Sequence, residues 1–303
     1  MMNIGAPSAP VVSPAPSWKP GGTVAVFNPV TREKLRIPKL PVSYRGGYSY
    51  GTRDTYTFGY EATTGKYKVL HLPCRADMRG GFNALLAFTL GQDGASWRGV
   101  AIPGGASCFL DAGIVSVAGA TYWVTSGLEK VVCFDVKDER VAFAAALPVG
   151  TGPGYQCRLM EVHGRLGIAV CADRRWNSPA KTEEVWVLGD GDDDDRQGWT
   201  RRYSVRAHGV EQRLAAPHFA PYGGEYVLAT RPEDWGRNHL YAHRLRDAGR
   251  RRLPRGEVRS VPMSETGTVV AYCNTGYYLR SFAYVETTEP LNLYKTQRGS
   301  TTK

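Results

Sequence analysis

From Thr23 onward the chain alternates short apolar runs, rich in Val, Tyr, Trp and Thr, with turns that contain glycine. No stretch keeps a 3.6-residue apolar period over three turns, so the pattern predicts strands and hairpins instead of helices. One unit recurs: an apolar strand, a Gly turn, an aromatic strand, a longer loop, a strand ending in Phe and Asp or Asn, then a Leu-Pro or Ile-Pro stop. Its clearest copy is Gly113 to Val117, the turn Ala118-Gly119, Ala120 to Val124, Val131 to Asp135 and Arg140 to Pro148. That is four strands in about 37 residues, near the roughly 40–50 residues of one propeller blade. A second copy runs through Phe58-Gly59-Tyr60, Tyr67 to Leu70, Leu85 to Leu90 and Trp97 to Ala101, closed by Ile102-Pro103. A third has Leu159 to Val162, Leu166 to Cys171, Val185 to Leu188 and Trp199 to Val205, and a weaker fourth has His218-Phe219, Tyr226 to Ala229 and Leu240 to Leu245 with the stop Leu253-Pro254.

Half a unit precedes these, Val24 to Asn28 with Lys34 to Ile37, and a remainder from Val258 to about Tyr294 follows. The two ends are expected to share one blade, because pairing strands from both termini removes open sheet edges. The fold expected is all-β: a β-propeller of five, alternatively six, mostly four-stranded antiparallel blades over residues 23–294. Residues 1–22, with five Pro, are expected to form a disordered Pro-rich leader, and residues 295–303 a disordered tail.

Composition supports a packed core: 42% of the 303 residues are hydrophobic, with seven Trp, seventeen Tyr and nine Phe. The formal charge of +10 is Arg-rich and scattered over many loops, which reports solubility and non-specific attraction and does not point to nucleic acid. Cys74, Cys108, Cys133, Cys157, Cys171 and Cys273 are irregularly spaced, several inside apolar runs, and read as buried reduced thiols. No apolar run reaches the ~18 residues of a membrane helix, and the start lacks the charged and apolar regions of a signal peptide. A cytoplasmic or nuclear protein is expected.

Catalytic chemistry finds little support in the sequence. The six His fall in no motif with Ser, Cys or paired carboxylates, and no G-x-S-x-G, Walker or dinucleotide fingerprint occurs. His239 and His243, four residues apart in a strand, would stand about 13 Å apart, too far to share a metal. Asp190 and Asp192 to Asp195 read as a solvated hairpin tip, and the Arg244 to Arg259 cluster as a solvated strand and turn. Asp93 to Trp97 reads as a plain hairpin turn, Asn28-Pro29-Val30-Thr31 as an Asx-type turn, and Thr64-Gly65 as a hairpin turn with positive φ. No catalytic, cofactor or metal site is expected.

Certain segments carry a family likeness. They are Phe27-Asn28-Pro29-Val30-Thr31-Arg32-Glu33 with Ile37-Pro38, Phe58-Gly59-Tyr60 followed by Thr64 to Val69, and Thr89-Leu90-Gly91 to Ser96-Trp97-Arg98. Further on come Gly119 to Trp123, Phe134-Asp135-Val136 with Glu139, and Glu184 to Leu188 with Trp199. Their order and spacing over roughly residues 24–294 resemble the F-box-associated domain, a β-propeller found behind F-boxes in a large plant protein family. The resemblance implies a protein-binding module of the substrate-recognition kind found in SCF-type E3 ubiquitin ligases. Residues 1–22 carry no helical F-box, so contact with a Skp1-like adaptor is expected only where an F-box lies upstream. A non-ligase interaction scaffold and a propeller glycosidase are the alternatives, the latter disfavoured by the missing acid pair.

The unidentified target protein is expected on one face. In a propeller the second-to-third strand loops and the blade-to-blade loops emerge on the same side. Loops 39–53, 73–83, 172–182 and 231–237 carry Tyr44, Arg45, Tyr48, Tyr50, Arg53, Arg75, Arg79, Arg174, Arg175, Trp176, Trp235 and Arg237, the residue types that dominate binding hot spots.

Overall fold

The fold is described from a computed structural model covering residues 11–14, 24–28, 30–41, 55–73, 81–148, 156–171, 180–189, 198–208, 213–218, 226–232, 238–244, 259–263, 268–273 and 290–294. Within them twenty strands form five sheets, and the only helical elements are two short 3-10 turns, Leu110–Ala112 and Leu291–Tyr294.

The first sheet has three strands, β1 (Val11–Pro14), β2 (Val24–Phe27) and β3 (Lys34–Arg36). The second is β4 (Thr55–Glu61), β5 (Lys66–Leu72), β6 (Gly81–Thr89) and β7 (Arg98–Ser107), paired in chain order. The third repeats that order with β8 (Ile114–Val117), β9 (Ala120–Val124), β10 (Lys130–Asp135) and β11 (Arg140–Ala146). The fourth, β12 (Gln156–Val162), β13 (Arg165–Cys171), β14 (Ala180–Leu188) and β15 (Trp199–His208), gains β19 (Arg259–Met263), which runs parallel to β15. The fifth joins β16 (Arg213–His218), β17 (Tyr226–Pro232), β18 (Asn238–Arg244) and β20 (Thr268–Cys273).

Local chemistry sets the turns as expected. The Asn28 side chain accepts the amides of Val30 (2.9 Å) and Thr31 (3.3 Å), the Asx turn that links β2 to β3. Gly65 takes φ 69° in the β4–β5 hairpin, a backbone region costly for other residues.

The cores lie between sheets, and strand alternation explains how. Leu70 and Leu72 of β5 pack with Trp123, Val132 and Phe134 of the third sheet, while Tyr67 and Val69 of the same strand pack with Val26 and Leu35 of the first. Val124 and Val131 then face Leu159, Leu166 and Ile168 of the fourth. A middle strand is therefore buried on both faces: β5 and β13 are buried at every position after the first, whereas the outer strand β11 alternates. The first strands β4, β8, β12 and β16 touch in succession, so the sheets follow one another face to face around their first strands, as propeller blades do.

Three expectations are corrected. Thr268–Cys273 pairs with β18 and Arg259–Met263 with β15, so these two described strands of the remainder after Val258 do not share a blade with β2 and β3; the uncapped edges of the fourth and fifth sheets take them instead. The first sheet finds its third strand at Val11–Pro14, inside the stretch expected to be a leader. Ile102-Pro103 does not stop a strand: β7 runs on to Ser107 through a register break opposite Asn83, and a proline is tolerated there because β7 is an edge strand.

Candidate binding face

All twelve residues expected on the binding face (Tyr44, Arg45, Tyr48, Tyr50, Arg53, Arg75, Arg79, Arg174, Arg175, Trp176, Trp235 and Arg237) lie outside the described residues. The strands that flank them are described. Residues 73–80 connect β5 to β6, 172–179 connect β13 to β14, and 233–237 connect β17 to β18, each a second-to-third strand connection; residues 42–54 lie between the first sheet and β4. Antiparallel strands alternate in direction, so these connections leave their sheets from corresponding ends.

The equivalent connection of the third sheet, Thr125 to Glu129, is described and was missed in the sequence reading, although its place between second and third strands marks it. It is a tight turn: Leu128 N–H donates to the Thr125 carbonyl (2.9 Å) and Thr125 N–H to the Lys130 carbonyl (2.9 Å). Neighbouring sheet-to-sheet segments tie onto it. Ser126 N–H donates to Ser107 Oγ (3.0 Å), and Leu147 N–H to the Glu129 carbonyl (3.0 Å). Gly127, Glu129 and Lys130 stand exposed on this rigid support and join the candidate contact residues.

At the opposite strand ends, side chains fasten one sheet to the preceding one. The residue that opens each outer strand does this three times. Trp97, just before β7, donates its indole N–H to the Pro38 carbonyl of the first sheet's exit (2.8 Å). Trp199, opening β15, donates to the Ala146 carbonyl of β11 (2.7 Å). Before β11 the same position holds Glu139, which reaches back to the second sheet by charge. Its carboxylate meets Lys68 Nζ at 2.8 Å and the Arg98 guanidinium, whose Nε lies 3.0 Å from Oε2. Lys68 is almost fully buried and all three of its donors are used, on Glu139, on Glu61 (3.0 Å) and on the Val136 carbonyl (2.7 Å). Burial alone would raise the Glu139 carboxyl, but the hydrogen bonds and charges of Arg98 and Lys68 outweigh it and hold the group below its ordinary value. The charges here satisfy one another, and the result is a clamp between sheets.

The thiols are placed for packing. Cys108, Cys133, Cys157 and Cys171 are buried and unbridged, and burial pushes Cys157 up to about 12 and Cys133 up to about 11, away from thiolate chemistry. Tyr122, beside Cys133, is also pushed upward, first by burial and then by Cys133 and Asp135. From the first strand β4 to the first strand β8 and on to β9, Thr57 Oγ1, Ser116 Oγ and Thr121 Oγ1 form a hydroxyl chain with steps of 3.0 and 2.8 Å. Among the described residues no group of three or more His, Cys, Asp or Glu could hold a metal ion. His239 and His243 lie in the strand β18, as read from the sequence; the acidic run at 190–195 and most of the Arg244 to Arg259 cluster lie outside the described residues.

Comparison with known proteins places these features in context. The F-box associated β-propeller domain family matches residues 15–223. The F-box protein At1g47340 of Arabidopsis thaliana is 26% identical over 69% of this chain and 41% of its own length. The Arabidopsis F-box protein DOR is 29% identical over 55% of this chain and 40% of its own. The chain thus spans less than half the length of either relative. Among solved structures, the Cps50 β-propeller domain of Myceliophteria thermophila covers 87% of this chain and 83% of its own at 13% identity and a TM-score of 0.35. An exo-β-1,3-galactanase from Phanerochaete chrysosporium covers 78% of this chain and 59% of its own at 9% identity and a TM-score of 0.43.

Proposed function

Because this chain belongs to the F-box associated β-propeller domain family, we propose that it is a protein-binding receptor, the half of an SCF-type ubiquitin ligase that selects the substrate. The family match over residues 15–223 carries the reading. Two features of the molecule support it. Buried charges such as Lys68 and Glu139 fasten one sheet to the next, which suits a rigid platform. The connections at the corresponding strand ends carry Tyr, Trp and Arg, which bring large contact area and directional hydrogen bonds at modest entropy cost. In this reading the target sits on the face formed by residues 42–54, 73–80, 125–129, 172–179 and 233–237. Recruitment of the cullin adaptor is the task of a helical F-box, and the propeller itself makes no adaptor contact.

The test is affinity capture with quantitative mass spectrometry, comparing the chain with a variant carrying Arg175→Ala, Trp176→Ala and Trp235→Ala. A specific partner should be lost from the variant while the melting temperature stays within about 2 °C, as expected for surface changes. Capture that survives the triple change and is lost when Asp192 to Asp195 are neutralised would put the binding face at the other end. A partner whose ubiquitylation does not respond to the protein would make the chain a scaffold.

A further inference from the structure

The chain's last described segment returns to its beginning. Pro290 to Tyr294 ends the chain's described part as a single 3-10 turn, yet it is seated in the joint between the first and second sheets. Leu291 is 3% exposed and belongs to the core cluster of Val26, Leu35, Tyr67, Phe88 and Trp97. Its backbone N–H donates to Glu33 Oε2 at 2.6 Å, across 258 residues of sequence. The same carboxylate oxygen accepts the Thr31 hydroxyl (3.1 Å), which fixes its direction. On the other side of the joint, the Tyr294 ring meets Tyr67 edge-on with centroids 5.6 Å apart. It also lies over Gly91, where a Cβ would come within 3.0 Å of Tyr294 Cδ1. Leu293, on the same turn, points away and is 65% exposed.

We infer that Pro290–Tyr294 is a C-terminal strap that clasps the two ends of the chain together, doing by side-chain insertion what strand pairing between the termini would otherwise do. Three independent contacts converge on it: an apolar plug, a directed carboxylate and an aromatic edge. It also reaches beyond the family match, which stops at residue 223, so the folded unit extends to Tyr294. The first sheet is where such a clasp matters. Among the described residues it has three strands, and β3 is only Lys34–Arg36, so little ladder hydrogen bonding holds it. Release of the strap therefore loosens the first sheet before the rest.

Hydrogen exchange on the full chain, read by mass spectrometry, tests this. Leu291→Asp should speed exchange at Ala25, Val26 and Leu35 by about tenfold or more while leaving Gln156–Cys171 unchanged, the signature of local opening. Leu293→Asp, equal in chemistry but on the exposed side, should leave both regions unchanged. If Leu291→Asp proves too unstable to purify, Tyr294→Ala must show the same pattern with a smaller increase. Unchanged exchange in the first sheet, an increase spread equally to Gln156–Cys171, or an equal response to Leu293→Asp would each overturn the strap.

Discussion

Replacing Lys68 by Met isolates what the clamp between the second and third sheets contributes. The ammonium is 6% exposed and neutralises Glu61 at 10% and Glu139 at 18% exposure, all as side chains. Methionine fills the volume but leaves Glu61 as a buried carboxylate without its cation, while Glu139 keeps Arg98. Removing one member of a buried pair costs about 3–5 kcal/mol, mostly because the partner charge stays buried. An exposed pair such as Arg201 and Glu184, 2.6 Å apart but 44% and 35% exposed, contributes roughly 0–1 kcal/mol. At roughly 2.1 cal/mol/K of unfolding entropy per residue, a cooperative 303-residue chain should lose about 5–8 °C in Tm for Lys68→Met and about 2 °C or less for Arg201→Ala. Calorimetry and urea melts measure both. A triple change, Lys68→Met with Glu61→Leu and Glu139→Leu, should recover most of the loss, since apolar replacement of a whole buried ionic set is near neutral. Acid should narrow the gap. Glu139 is held low in the folded chain, so its contribution is full above the unfolded carboxylate value of about 4.3 and fades as pH falls through the lower folded one. A Lys68→Met variant no less stable than Arg201→Ala at pH 7 would refute the clamp.

Two further outcomes follow from the same geometry. Trp97→Phe should cost about 1 kcal/mol by denying the Pro38 carbonyl its indole donor, and Trp199→Phe less, because the bond to the Ala146 carbonyl is open to water; equal losses in urea melts would contradict this. Gly167→Ala should lower stability by about 1–3 kcal/mol, because a Cβ there would lie 2.5 Å from Val162 Cγ2 and 3.3 Å from Met160 Cγ; an unchanged melt would show that the β12–β13 pair can yield.

What the sequence determined by itself is the local grammar. The run from Gly113 to Pro148 predicts strands at Gly113 to Val117, Ala120 to Val124, Val131 to Asp135 and from Arg140, and β8 to β11 begin within a residue of those positions. Turn chemistry was equally legible at Asn28 and Gly65, because an Asx bond and a positive φ depend only on neighbours in the chain. The family likeness was legible too, since it is written in those same short motifs. Tertiary structure decided the pairings made at a distance. An open sheet edge accepts any apolar strand that reaches it, so nothing in Thr268–Cys273 says that it belongs beside β18, and nothing in Arg259–Met263 says that it runs parallel to β15. Leu291 carries no mark of its pocket, and Glu139 reads as a turn carboxylate until the second sheet brings Lys68 and Arg98 against it. Periodicity and turn preference act over a few residues and leave a local signature, whereas these choices are settled by competition among edges and cavities that exist only once the sheets have packed.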